Sequence, residues 1–176
     1  MNDLLLLAMM LDDPKYGYQL KREAGWMMGQ KALHNNLVYP LLRRFLEERW
    51  VSKKAVPGER GQTRQQYALT ADGRRHLFER VREFTAADAS SESAFHLRVG
   101  LFAALTPEGR EAILGRREGY LQSRDQKLAA LEAQMELGRF GEEIVRHLRK
   151  KIEMECDWIT HLRRFAKAGG RGKGQK

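Results

Sequence analysis

One cysteine in 176 residues, Cys156, has no partner for an intramolecular disulfide, so a reducing compartment is the simpler expectation. Long apolar runs are missing as well. The run from Leu4 to Leu11 is eight residues, too short to span a bilayer, and Asp3 stands where a secretory signal would carry a basic flank. A soluble, cytoplasmic chain with no membrane partner is expected. Catalytic signals are also missing. His34, His76, His96, His147 and His161 fall at no metal-ligand spacing, and Cys156 sits beside acids that oppose a low thiolate pKa. There is no phosphate loop, no Gly-x-Ser-x-Gly element and no internal repeat. No metal, no cofactor and no enzymatic activity are expected.

What is present in quantity is positive charge, unevenly spread. The net charge is +9. Residues 1–88 contribute +4, residues 89–162 contribute −1, and the acid-free stretch from Arg163 to Lys176 contributes +6. A basic balance permits a polyanionic partner without naming one. A solvated tail that aids solubility is the plainer reading of the last stretch.

Along the chain, Asn2 or Asp3 can cap a short apolar helix through Leu11, which Asp12-Asp13-Pro14 ends. A second helix is expected from Gly17 to Met28, with Lys21 and Arg22 outward. A turn over Gly29–Leu33 follows. The third helix carries Leu37/Val38, Leu41/Leu42 and Phe45/Leu46 at the spacing of one buried stripe. Asn35 or Asn36 suits its N-cap, and Tyr39, Pro40, Arg43 and Arg44 share its outer face. Two strands, Trp50–Val56 and Arg64–Leu69, flank a glycine-rich tip and read as a basic hairpin. Thr70 should cap a helix from Ala71 to about Thr85. Three short helices, a basic outer face and a hairpin make a winged helix-turn-helix.

Ala86–Ser91 reads as a linker, giving domains 1–88 and 89–168 and a disordered basic tail 169–176. Beyond the linker only helices are expected: Phe95–Leu105, then one begun by Thr106-Pro107 and running to Leu137. Gly138–Gly141 breaks it, and a last helix spans Glu142–Ala166 with apolar residues near heptad spacing. The fold class is therefore mainly α with one small β-hairpin. Two long helices in a hairpin cannot hide their own stripes, and a second copy is the most economical cover.

Tyr16-Gly17-Tyr18-Gln19-Leu20, Val38-Tyr39-Pro40-x-Leu42-x-x-Phe45 and Arg64-x-x-Tyr67-x-Leu69-Thr70-x-x-Gly73 occur here in one order. That order and spacing resemble PadR-like transcriptional regulators over residues 4–80. Trp158 and the length of the second half extend the resemblance to the longer-tailed branch, which includes phenolic-acid repressors and an AphA-type activator. The resemblance implies a homodimer on an inverted-repeat operator, most often a repressor, in some members tuned by a small aromatic or hydrophobic ligand. The chain departs from the family's pattern at Asn36 and Leu37, where a small polar pair is usual. It departs again at Leu41, usually polar, and at Thr63, often proline.

Asn35, Asn36 and Arg44 are candidates for base edges, with His34 at the same end of the helix. Leu37 and Leu41 either pack in the core or meet thymine methyl groups. Tyr18, Lys21, Tyr39 and Arg43 are candidates for phosphate contacts, and Lys53, Lys54, Arg60 and Arg64 for flanking backbone or minor groove. A solvated hairpin is the plainer reading of the wing. Phe95, Phe102, Leu121, Leu128, Leu148, Ile152, Cys156 and Ile159 are the expected dimer contacts. Phe95, Phe102 and Trp158 could line an aromatic effector's cavity, although such aromatics more often simply pack. Two other functions compete: an architectural DNA-binding protein with little sequence preference, and a helical protein-interaction module.

Overall fold

Four consecutive leucines, Leu4–Leu7, are apolar on every side of a helix, and a helix without a polar face must be enclosed. They are buried in α1 (Asn2–Ala8), in a computed structural model that describes residues 2–29, 31–57 and 62–167. The chain divides into two units, one up to Glu83 and one from Phe84. In the first unit, α1 is followed by β1 (Lys15–Tyr16), α2 (Gly17–Met27) and α3 (Asn35–Glu47). Then come β2 (Val51–Pro57), β3 (Thr63–Leu69) and α4 (Ala71–Arg82). The three strands form an antiparallel sheet in the order β1-β3-β2, with Val51 opposite Leu69, Lys53 opposite Tyr67 and Lys15 opposite Tyr67 on the other side. This is a winged helix-turn-helix with α3 as its third helix. β1 was not expected, because two residues are too few to show a period.

The corner after α3 is built closely. Arg49 takes a left-handed φ of 59°, donates its N–H to the Leu46 carbonyl at 3.1 Å, and Trp50 donates to Phe45 at 2.9 Å. These bonds close the helix as a Schellman motif. The accompanying apolar contact is Phe45 against Trp50, 6.1 Å between centroids. Trp50 then accepts the Thr70 N–H at 3.0 Å and stacks on His76 at 3.6 Å. Thr70 caps α4 through Gly73 N–H, and a Cβ on Gly73 would lie 1.9 Å from the Trp50 oxygen.

The second unit is helical throughout its described residues: α5 (Ala86–Ser90), α6 (Glu92–Gly100), a 3-10 turn at Phe102–Ala104, α7 (Pro107–Gln134) and α8 (Arg139–Lys167). The expected linker is thus a helix. Thr85 and Asp88 form a reciprocal capping box around its start, and that local bonding overrides a small, polar composition. Helix boundaries also move, with α6 starting at Glu92 and α7 ending at Gln134. Ser91 caps α6, which stops at Gly100 instead of Leu105. Arg139 and Phe140, read as part of a break, begin α8. Thr106 and Pro107 start α7 as expected, with Thr106 accepting the Gly109 N–H. The tail 169–176 lies outside the described residues.

α7 and α8 run antiparallel, stitched by Arg117–Glu155, Arg149–Asp125 and Arg163–Glu118. Arg117 is buried, grips Glu155 with two N–H groups at 2.7 and 2.8 Å, and gives a third to the Ala89 carbonyl at 2.6 Å. Four residues expected to contact a second chain, Phe95, Leu121, Ile152 and Ile159, are buried within this unit itself. They close the seam between the unit's own helices. Phe102, Leu128, Leu148 and Cys156 stay half-buried. Among the described residues no helix is long and apolar enough to cross a membrane.

Gly73→Ala should destabilise the protein by about 2–3 kcal/mol, because a methyl group cannot share space with a carbonyl oxygen. Arg49→Gly should stabilise it by roughly 0.5–1 kcal/mol, the relief of a left-handed side-chain residue less the cost of glycine's added backbone freedom. Urea denaturation of the two variants checks both signs.

Candidate nucleic-acid interface

α3 presents its residues in bands, since each residue advances the helix by about 100°. Val38, Leu42 and Phe45 form the buried band. The opposite face carries Asn36, Pro40, Arg43 and Glu47, all exposed, with Tyr39 on one flank and Arg44 on the other. Leu37 and Leu41, half-buried, lie on the Arg44 side between the two bands. The helix is polarised along its length. Its first turn has no acid, whereas Glu47 and Glu48 close its other end. The N-terminal end, with its free amides and positive dipole end, is therefore the one suited to a polyanion.

The N-cap is His34, extended at φ −70° and ψ 145° and without a side-chain cap bond. The expected caps, Asn35 and Asn36, are instead the first two helical residues and are exposed. A cap must have extended backbone, and the chain becomes helical one residue earlier than composition suggested. Both asparagine amides thus point outward unused by the helix start.

The turn into α3 is held by close backbone packing. A Cβ on Gly25 would fall 2.3 Å from the Ala32 Cα, and Leu33 N–H bonds the Lys21 carbonyl at 2.9 Å. Around it an open groove of about 910 Å³ is lined by Tyr18, Lys21, Arg22 and Trp26 of α2 with Lys31, His34, Asn35 and Asn36. Sequence reasoning omitted Arg22, Trp26 and Lys31. An aromatic four residues after an outward arginine was the signal.

A smaller pocket of about 230 Å³ joins Tyr16, Gly17, Tyr18, Tyr39, Arg64 and Tyr67. Tyr16 and Tyr18 stack at 5.8 Å, and Gly17 lets the Tyr39 ring come within 3.2 Å of where its Cβ would be. Tyr39 is 43% exposed, not a core tyrosine. Burial, and then the neighbouring Tyr39, push the Tyr67 phenol above its ordinary range. Phenols and one guanidinium in such a cluster can donate to phosphate oxygens.

Arg44 is partly committed, 3.5 Å from Asp3 and over the Phe45 ring. Arg43, Lys21, Lys53, Lys54 and Arg64 have no acidic partner among the described residues. On the wing, side chains alternate, so Lys53 shares a face with Tyr67 while Lys54 and Arg64 lie on the other. Arg60 lies outside the described residues.

In the second unit, Phe95 is fully buried, edge-on to Trp158 at 5.7 Å and near Phe84 at 6.4 Å. Its ring packs among the protein's own aromatics. Burial, then Glu118, Glu155, Asp157 and Asp125, raise the Cys156 thiol, as the acids around it led one to expect. Among the described residues no three His, Cys, Asp or Glu side chains are grouped to hold a metal.

The profile of the transcriptional regulator PadR-like family matches residues 6–79, wholly within the first unit. No curated protein matches the chain. Among solved structures it is similar to a candidate transcriptional regulator of Thermoplasma acidophilum, with 28% identity over 44% of this chain and 74% of that one and a TM-score of 0.42. It is similar also to a PadR-family transcriptional regulator of Eggerthella lenta, at 28% identity, 44% and 65% coverage and a TM-score of 0.38. Bacillus subtilis PadR, solved in complex with operator DNA, is 15% identical over 94% of this chain and 98% of its own, with a TM-score of 0.42.

Because the folded state keeps Tyr67 protonated to higher pH than the unfolded chain does, its share of stability is complete below about pH 10 and lost as pH rises beyond it. Between about pH 8.5 and pH 11 the wild type should therefore lose more stability than Tyr67→Phe. Equal losses in urea midpoint would contradict the burial of that hydroxyl.

Proposed function

We propose that this chain, whose residues 6–79 match the PadR-like family of transcriptional regulators, represses transcription as a homodimer seated on an inverted-repeat operator. The observation that carries the reading is the N-terminal end of α3. Asn35 and Asn36 are exposed, uncommitted and unopposed by acid, between unpaired cations on α2 and on the wing. Asparagine pairs bidentately with adenine, and Arg43, centred on the outer face, has the reach for a guanine or a phosphate. Tyr18, Lys21, Tyr39 and Arg64 fix register on the backbone. Leu37 and Leu41, on the flank, supply apolar contact to thymine methyl groups at the edge of the footprint. A dimer on an operator that overlaps the promoter excludes the polymerase, and such a protein works in the compartment that holds the DNA.

The second copy has its own support. α8 carries a buried apolar stripe and, beside it, a mixed one with exposed Phe140, Ile144, Met154 and Phe165. Val145, Ile152 and Ile159 face into the unit. Phe140, Ile144, His147, Lys151, Met154, Trp158, His161 and Phe165 recur at alternating spacings of four and three along a neighbouring stripe. Phe140 is 82% and Met154 65% exposed. A helix of 29 residues with an open stripe at coiled-coil spacing calls for a partner helix, and a like helix supplies one with the same spacing.

Selection from a random duplex library by the full-length chain should recover a palindrome with half-site centres about 10 or 20 base pairs apart. Random DNA that competes equally with the selected duplex would favour an architectural role instead. Ile144→Glu combined with Met154→Glu should turn a dimer into a helical monomer in sedimentation and weaken binding to the palindrome at least tenfold. A variant that stays dimeric would exclude this stripe.

A further inference from the structure

Trp26 is 60% exposed at the outer face of α2, an unfavourable place for an indole unless something covers it. Its ring is not loose, because the Arg22 guanidinium lies 5.0 Å from its centroid. The groove it lines has Lys21 and Arg22 on one wall, Lys31 beside them and the first turn of α3 on the other, and no acid lines it. Its base is preformed by the Gly25–Ala32 approach and by the Leu33–Lys21 backbone bond.

We infer that this groove seats one strand of the duplex backbone, with a phosphate between Arg22 and Lys31 and the deoxyribose edge against Trp26. The inference rests on the DNA-binding reading and extends its backbone contacts to Arg22, Trp26 and Lys31. In a helix-turn-helix the first helix crosses the backbone while the second enters the major groove by its N-terminal residues. Here Asn35 and Asn36 form a wall of the groove itself, so a strand whose bases they meet passes along it. Three cations without a neutralising acid match the charge of a phosphodiester, and the flat apolar ring matches the sugar between two phosphates. An acidic peptide would offer no surface periodic enough to engage both.

Phosphate contacts are independent of sequence, so a mixed-sequence duplex of about 30 base pairs serves as the probe, its binding to the full-length protein followed by anisotropy between roughly 50 and 200 mM salt. Combined Arg22→Ala and Lys31→Ala should weaken binding and reduce the slope of log affinity against log salt by about 0.9, the share of the one phosphate no longer neutralised. Arg22→Lys, which keeps the charge, should keep the slope. The emission that Trp26→Phe removes isolates Trp26 from Trp50 and Trp158, and in the wild type the duplex should shield that component from acrylamide. If the double variant keeps the wild-type slope, or Trp26 is quenched equally with and without duplex, the groove faces away from DNA and the inference falls, while a loss of affinity in Arg43→Ala would leave the broader reading standing. A wild type that binds no duplex even at the lowest salt would remove both.

Discussion

The carbonyl oxygen of Trp50 is the point on which the first unit's geometry turns. It receives the backbone N–H and the hydroxyl of Thr70, and the bare Cα of Gly73 allows α4 to come that near. One peptide group therefore joins the end of α3, the start of β2 and the start of α4. Arg49 accepts an unfavourable backbone conformation to aim it there, at a cost of roughly 1–2 kcal/mol. The return is rigidity. The wing leaves α3 at a fixed angle, and the phenol-lined pocket between them keeps its shape before any ligand arrives, so little ordering remains to be done on binding.

Where the sequence was easy to read, one strong local rule acted alone. The α3 stripe, the Thr106-Pro107 start and the hairpin each rest on such a rule, and each stands at or within a residue or two of its expected place. Where it was hard to read, two rules competed. His34 rather than an asparagine became the cap of α3, because a backbone already bent by the α2 turn decides which residue is last to be extended. Ala86–Ser90 folded as a helix because Thr85 and Asp88 bond each other's backbone, a pairing hidden in a stretch whose composition suggested slack. Within the candidate site, the outward positions of α3 followed from periodicity. Arg22, Trp26 and Lys31 did not, since only the closeness of Gly25 and Ala32 brings their segments into one groove. The stripe of α8 that closes the hairpin was distinguishable from the open one only once α7 was beside it.

The two units use arginine in opposite ways. In the second, Arg117 is held by a carboxylate and a carbonyl and lies over Phe95 and Tyr120, so its charge is consumed inside the fold. Removing one partner of such a buried pair typically costs about 3–5 kcal/mol, which makes Arg117 and Glu155 a structural clasp between helices. In the first unit Arg43 and Arg64 keep their charge for the outside. The +9 of the whole chain thus understates how local the available charge is.

The order of the sheet has a consequence for handling the protein in the cell. β3 is flanked on both sides, but β2 stands at the edge of the sheet among the described residues, and an open strand edge invites another chain to add to it. The adjacent lysines at 53 and 54 are a standard deterrent to that. A wing stripped of them loses protection as well as charge, so it announces itself first as insoluble protein during expression, before any weakness toward nucleic acid can be measured.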